Sequence, residues 1–195
     1  QGLFVVNFGG NTTELSVLSG GGMVMNRLLK TGGEDYDTAI ASLVRRNMDF
    51  LIGNTTAEKL RRTFGIFDDS TGSLLRVSGR DLITGVPAQT DVPISLVRAA
   101  MKEPLEECVR AIVSMIERTP PIVREAIRRK GICLTGGMAD LRGLATYLQE
   151  STGLPVFLPG EPGLCAVRGL RRIISDKAYY SRLTYSMLDE DYRWL

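Results

Sequence analysis

Histidine is absent from all 195 residues of the chain. Its absence removes Ser–His and Cys–His nucleophile pairs and most catalytic zinc sites, so any chemistry here is electrostatic and positional. Cysteine is scarce. Cys108, Cys133 and Cys165 are odd in number, widely spaced and set among apolar neighbours, which suits small core residues in a reducing, cytoplasmic setting. No apolar run approaches the roughly 18 residues needed to cross a bilayer, and no signal-peptide pattern is seen. A clustered charge of one sign is also missing: 24 basic and 22 acidic residues leave a formal charge of +2 spread along the chain. Nucleic acid is therefore not the expected partner.

At 44% hydrophobic, the chain can bury a core as one large domain or two small ones. It opens on Gln1, a residue or so before a core-like strand, and reads as a piece of a longer protein. Its most informative content is glycine, placed in two distant turns that each end an apolar strand. One is Leu3-Phe4-Val5-Val6-Asn7-Phe8-Gly9-Gly10-Asn11-Thr12-Thr13-Glu14, and the other is Gly131-Ile132-Cys133-Leu134-Thr135-Gly136-Gly137-Met138. Without side chains, such glycines let the backbone approach a phosphate or a purine closely.

The opening predicts three strands, Leu3–Phe8, Thr12–Leu18 and Met23–Lys30, which is not the strand-to-helix geometry of a P-loop. A helix is expected over Glu34–Phe50, with Tyr36, Ile40, Leu43 and Val44 on one face and Gly32 and Gly33 at its mouth. Thr55-Thr56-Ala57-Glu58 matches a capping box that would start a short helix ending at Phe64. Leu74–Val77 and Val86–Thr90 read as strands, so that residues 54–93 form a small inserted subdomain and residues 1–53 with 94–195 form the sheet-bearing one. Pro104 is expected to separate two helices between Ser95 and Pro120. The remainder alternates: helix Val123–Arg129, strand Ile132–Thr135, helix Ala139–Glu150, strand Pro155–Leu158, and a helix from about Leu164 with an exposed apolar face. This order indicates an α/β mixed sheet flanked by helices, with a small inserted α+β part. The tail after Ile174, rich in aromatics from Tyr179 to Trp194, has no assignment.

Around the first turn, Thr12 and Thr13 offer hydroxyls and N–H groups of the kind that satisfy phosphate oxygens, while Asn7 points into the same mouth. Glu58 has two competing roles, as a capping carboxylate or as an acceptor for ribose hydroxyls. Arg61 and Arg62 likewise suit either a solvated helix face or stacking over an adenine. Gly136-Gly137-Met138 stands between a strand and a helix, where ligands of α/β sheets gather.

Four stretches occur together in the order and approximate spacing of the actin/DnaK-chaperone/sugar-kinase ATPase superfamily, which has the ribonuclease H-like fold. They are Asn7–Glu14, Thr31-Gly32-Gly33-Glu34-Asp35-Tyr36-Asp37, Thr56–Arg62 and Leu134-Thr135-Gly136-Gly137-Met138-Ala139-Asp140-Leu141. Within that superfamily, Val77–Leu82, Glu117-Arg118-Thr119-Pro120-Pro121 and Thr152–Val156 resemble the bacterial actins of the MreB family, the rod shape-determining proteins. The resemblance runs from about Leu3 to Arg172 and covers the second half of such a protein.

The resemblance implies that Gly9, Gly10, Asn11 and Thr12 form the second phosphate loop, and that Glu58 with Arg61 makes ribose and adenine contacts. Gly136, Gly137, Met138 and Ala139 then form the adenosine motif, and Gly32 and Gly33 lie beside the cleft. It further implies ATP with Mg²⁺ between two domains, self-assembly into filaments, cell-wall synthesis and cell-shape partners, and a cytoplasmic site at the inner face of the membrane reached through parts absent here. The alternatives are a small-molecule kinase or other ATPase of the superfamily, and a hydrolysis-deficient scaffold. Two positions depart from the family pattern: Asn7 stands where aspartate is usual, and Asn11 where a third glycine is usual. No catalytic residue or metal ligand is assigned to this chain, and any ATPase activity belongs to the full-length protein, slowed by Asn7.

Overall fold

A computed structural model describes residues 2–66 and 72–176. The aromatic tail and the residues beside Ser70 lie outside the described residues.

Strand β1 (Gly2–Phe8) alternates strictly, with Phe4, Val6 and Phe8 fully buried and Leu3, Val5 and Asn7 on the other face. It pairs antiparallel with β2 (Thr13–Ser19), which pairs antiparallel with β3 (Gly22–Leu29). Helix α1 follows over Gly33–Met48, ending two residues earlier than the periodicity predicts. Asp49 adopts a left-handed backbone, φ 49°, which ends the helix and turns Phe50–Leu51 into strand β4.

Helix α2 (Asn54–Phe64) starts one residue before the predicted box, with Gly53 as its cap residue. The Gly53 carbonyl accepts from the N–H groups of Thr56 and Ala57, so Thr55 lies inside the first turn and makes no capping bond. The capping box is therefore not formed, and Glu58 is free of that duty. Strands β5 (Leu74–Asp81) and β6 (Pro87–Pro93) form a hairpin that joins β4 in a three-stranded sheet of order β4-β5-β6.

Pro104 does not divide the next segment. Helix α3 runs unbroken from Ile94 to Arg118. A proline inside a helix costs about 3 kcal/mol, but Val97, Met101, Leu105, Cys108, Ile112 and Met115 form one buried stripe that crosses Pro104. Burying such side chains stabilises by about 1.5–3 kcal/mol each, so packing outweighs the local penalty. Helix α4 (Pro121–Lys130) then leads into β7 (Ile132–Thr135), which lies parallel to β1.

The helix predicted from Ala139 begins later, as α5 (Leu144–Thr152). Residues 138–143 instead form successive turns, in which Ala139 N–H donates to Gly136 O and Leu141 N–H to Met138 O, and Gly143 takes φ 84°. Strand β8 (Val156–Phe157) completes a five-stranded sheet of order β3-β2-β1-β7-β8, and helix α6 (Cys165–Ser175) ends the described chain. One face of this sheet, with Phe4, Val6, Phe8, Leu15 and Val17, belongs to the same buried cluster as Tyr36, Ile40 and Val44 of α1 and the α3 stripe. As predicted, α6 leaves its apolar side open, with Val167, Leu170 and Ile174 exposed.

Candidate nucleotide site

The two glycine turns meet at the ends of adjacent parallel strands. Because β1 pairs with β7 from Phe4↔Ile132 to Asn7↔Thr135, both strands stop at the same level. Gly136 follows with φ 95°, and a Cβ there would stand 2.1 Å from Phe8 O and 2.7 Å from Asn7 Oδ1. Only glycine fits. The Met138 N–H then donates to Phe8 O at 3.2 Å, which fastens the second turn to the end of the first strand.

The first turn is fastened to α1. Gly33 N–H donates to Gly9 O (3.1 Å) and Glu34 N–H to Gly10 O (2.8 Å), so two orphan donors of the helix start are satisfied by the turn's carbonyls. Asn11 Nδ2 donates to Glu34 Oε2 at 2.8 Å, and the Asp35 carboxylate accepts from Gly32 N–H at 2.8 Å. A Cβ on Gly32 would lie 2.5 Å from Gly10 O and Thr12 N, which explains the glycine at the helix mouth. Thr13 is turned inward, 1% exposed, and its hydroxyl donates to Thr31 O. It is thus a structural tie and not a phosphate ligand. Among the described residues, the N–H groups of Gly10, Asn11 and Thr12 find no acceptor, and Gly10 and Asn11 are exposed. These outward N–H groups are the part of the turn suited to an anion.

Between the turns and α2 lies a cleft of about 230 Å³ lined by Gly9, Gly10, Gly33, Glu34, Asp37, Glu58, Arg61, Arg62, Gly137 and Met138. It unites most of the residues predicted from sequence. Of the others, Asn11 and Thr12 lie on the adjoining turn, while Gly32, Gly136 and Ala139 are backbone supports beneath it. Glu34 and Asp37 were not anticipated, although their spacing on α1 places them on one face one turn apart. Two larger hollows, about 520 Å³ between α1 and α3 and about 330 Å³ beside Met101 and Tyr147, touch neither glycine turn. Size alone does not mark the site.

The two arginines part company. Arg61 is 5% exposed at its side chain and holds Asp37 through two bonds, Nε–Oδ1 at 2.7 Å and Nη2–Oδ2 at 3.0 Å. It is not a solvated surface residue: the in-plane donors of its fork are spent on a carboxylate, while its side chain still lines the cleft. Arg62 is exposed, and its Nε lies 2.8 Å from Glu58 Oε1. That hydrogen bond, helped by the arginine charge, holds the Glu58 carboxyl below its ordinary range. Glu58 is therefore an ionised acceptor at the cleft rim.

A mixed sheet whose strand ends carry two glycine turns over such a cleft defines an actin-like ATPase fold. Solved structures share it. MreB5 of Spiroplasma citri bound to ADP superposes with a TM-score of 0.85 at 26% identity, covering 90% of this chain and 54% of that one. The MamK double helical filament gives a TM-score of 0.74 at 20% identity over 89% of this chain and 54% of that one. In sequence, the cell shape-determining protein MreB of Escherichia coli (strain K12) is 38% identical over 169 residues, which are 86% of this chain and 49% of that protein. The profile of the MreB/Mbl protein family matches residues 1–182, and the chain belongs to that family. It spans about half the length of the curated relatives it matches.

Proposed function

We propose that this chain supplies one wall of an ATP cleft in a nucleotide-dependent cytoskeletal filament protein that determines cell shape and organises cell-wall synthesis. The observation that carries this reading is the convergence of Gly9, Gly10, Gly137, Met138, Glu58 and Arg62 on one cleft at paired strand ends. Gly10, Asn11 and Thr12 offer N–H groups to phosphate, Glu58 accepts from the ribose, and Arg62 and Met138 flank the base. Gly32, Gly33, Gly136 and Ala139 shape the backbone around these contacts. Arg61 acts indirectly by tying α2 to α1 through Asp37.

Support also comes from the relatives. One is named a cell shape-determining protein, one was solved with ADP, and one as a filament. Residues 54–93, with α2 and the β5–β6 hairpin, form an inserted subdomain beside the cleft, and β4 just before them completes its three-stranded sheet. Self-association and cell-wall partners belong to the full-length protein, which works in the cytoplasm at the inner membrane face. Among the described residues no helix is long and apolar enough to cross a membrane.

Mg²⁺ accompanies the nucleotide. It takes one or two protein carboxylates together with phosphate oxygens and water. The oxygen donors at the open strand ends, Asn7 Oδ1 and the Glu14 carboxylate, fit that chemistry. When bound, the ion neutralises phosphate charge. An amide at position 7 cannot act as a carboxylate base, so hydrolysis is slow.

The test is calorimetry of ATP with Mg²⁺ on the full-length protein beside this chain alone, followed by electron microscopy for filaments. Tight binding by the intact protein and weak binding by the fragment are expected, because phosphate stabilisation needs groups on both sides. Absence of both nucleotide binding and filaments in the intact protein would overturn the reading.

A further inference from the structure

Arg142 stands near the end of the successive turns that follow Gly136, Gly137 and Met138, outside the lining of the cleft. Both its backbone and its side chain meet the C-terminal end of α2. The Arg142 carbonyl accepts from Ile66 N–H at 2.8 Å, while Arg142 Nη2 donates to Thr63 O at 2.9 Å and to Phe64 O at 3.3 Å. The last carbonyls of a helix lack partners within it, and a cation there also suits the negative end of the helix dipole. Arg142 thus caps α2 from 78 residues further along the chain. Gly65 lets the two backbones meet. It takes φ 66°, and a Cβ there would stand 2.5 Å from Arg142 O.

This contact ties together the two elements that face each other across the base side of the cleft. Helix α2 brings Glu58 and Arg62 to the lining, and the second glycine turn brings Gly137 and Met138. A narrow hollow of about 110 Å³, lined by Arg61, Arg62, Gly137, Met138, Asp140 and Leu141, separates the helix from the turn. The buried Arg61–Asp37 pair fixes α2 to α1, whereas Arg142 fixes its C-terminal end to the run after Met138. The first glycine turn is fastened separately, by the Gly33 and Glu34 N–H groups on the Gly9 and Gly10 carbonyls. The phosphate side and the base side therefore rest on different ties.

We propose that Arg142 is the positioning residue for the base side of the cleft: by clamping the end of α2 to the second turn, it sets the spacing of Glu58 and Arg62 from Gly137 and Met138 that a nucleotide's ribose and base require. The inference rests on the nucleotide reading above. Glu58 lies six residues before Phe64, about 9 Å along a helix rising roughly 1.5 Å per residue. A shift at the clamped end is carried by the rigid helix to both rim side chains. Binding groups need placement to within about 0.5 Å.

The experiment is calorimetry of ATP with Mg²⁺ on the full-length protein, together with hydrogen exchange of the free and ATP-saturated protein read by peptide mass spectrometry, for the wild type, Arg142→Ala and Arg142→Lys. Arg142→Ala should remain folded, because the buried Arg61–Asp37 pair and the Ile66–Arg142 backbone bond both persist. Its ATP affinity should fall about fivefold, the net worth of roughly one hydrogen bond. ATP should still slow exchange in residues 9–12 as in the wild type, while the slowing in residues 56–64 is lost. Arg142→Lys keeps a cationic donor for the two carbonyls and should recover part of both effects. A merely structural role would instead speed exchange in both segments, free and bound alike. That result, a wild-type pattern in Arg142→Ala, no recovery in Arg142→Lys, or a wild type in which ATP protects residues 9–12 and not 56–64 would overturn the proposal while the nucleotide reading stands. Failure of ATP to bind the wild type would overturn both.

Discussion

Arg61 and Asp37, 24 positions apart, form a buried two-bond ion pair that joins the middle of α2 to the first turns of α1. The pair forms the floor of the cleft. A Cβ on Gly33 would come within 3.5 Å of Arg61 Nη2 and 3.2 Å of Met138 Sδ, so the mouth of α1 sits close against both the guanidinium and the second glycine turn. Removing one partner leaves the other charged and buried, which costs about 3–5 kcal/mol. Asp37→Ala and Arg61→Ala should each lower stability by that amount in urea titrations. The double variant should lose less than the sum, and additive losses would show that the two side chains act independently.

The second glycine turn should separate folding from binding. Gly136→Ala forces a methyl into Phe8 O at a left-handed backbone and should cost at least about 2 kcal/mol. Gly137 has open space around its Cβ position, so Gly137→Ala should shift stability by less than about 0.5 kcal/mol. Its methyl still lines the cleft, and ATP affinity of the full-length protein should fall. Thermal unfolding and calorimetry on the two variants check the contrast.

Glu58 should report its arginine. Because Arg62 depresses the Glu58 carboxyl in the folded chain, the pair's contribution is present above the unfolded carboxyl range and is lost as pH falls through the folded value. In Arg62→Ala the Glu58 titration, followed by carboxyl carbon NMR, should move up toward the ordinary value. The stability gap between wild type and variant should narrow on acidification. The pair is exposed, so the gap is a few tenths of a kcal/mol at most.

The thiols should react in order of burial. Cys108 is buried and its thiol is pushed up to about 12, mainly by burial, while burial also raises Cys133. All three cysteines are free. Iodoacetamide near neutral pH should label Cys165 first, Cys133 more slowly, and Cys108 only after unfolding, as read by peptide mass spectrometry. Early labelling of Cys108 would mean that α3 opens locally from the core.

Much of the strand pattern could be read directly because its period is two and its breaks are glycines. β7 falls on the predicted Ile132–Thr135, and β1 and β2 differ from prediction only at their ends. Errors fall where distant packing overrides a local signal. Pro104 reads as a helix break, yet the buried stripe on either side keeps α3 whole. Thr55 and Glu58 fit a capping box, yet Gly53 starts the helix and Arg62 takes the carboxylate.

The candidate site divides in the same way. Gly9, Gly10, Gly32, Gly136 and Gly137 could be found from sequence as glycines at strand ends and a helix mouth, and at Gly32 and Gly136 the surroundings exclude any side chain. Which arginine is buried and which faces the cleft could not, since Arg61 and Arg62 are adjacent and chemically identical. That choice depends on Asp37, 24 residues away, reaching one guanidinium and not the other. The sequence by itself determined the strand ends, the glycine turns and the family, through local periodicity and backbone freedom. Only the tertiary structure decided how the charges pair, because an ion pair is selected by distance in space and carries no local pattern.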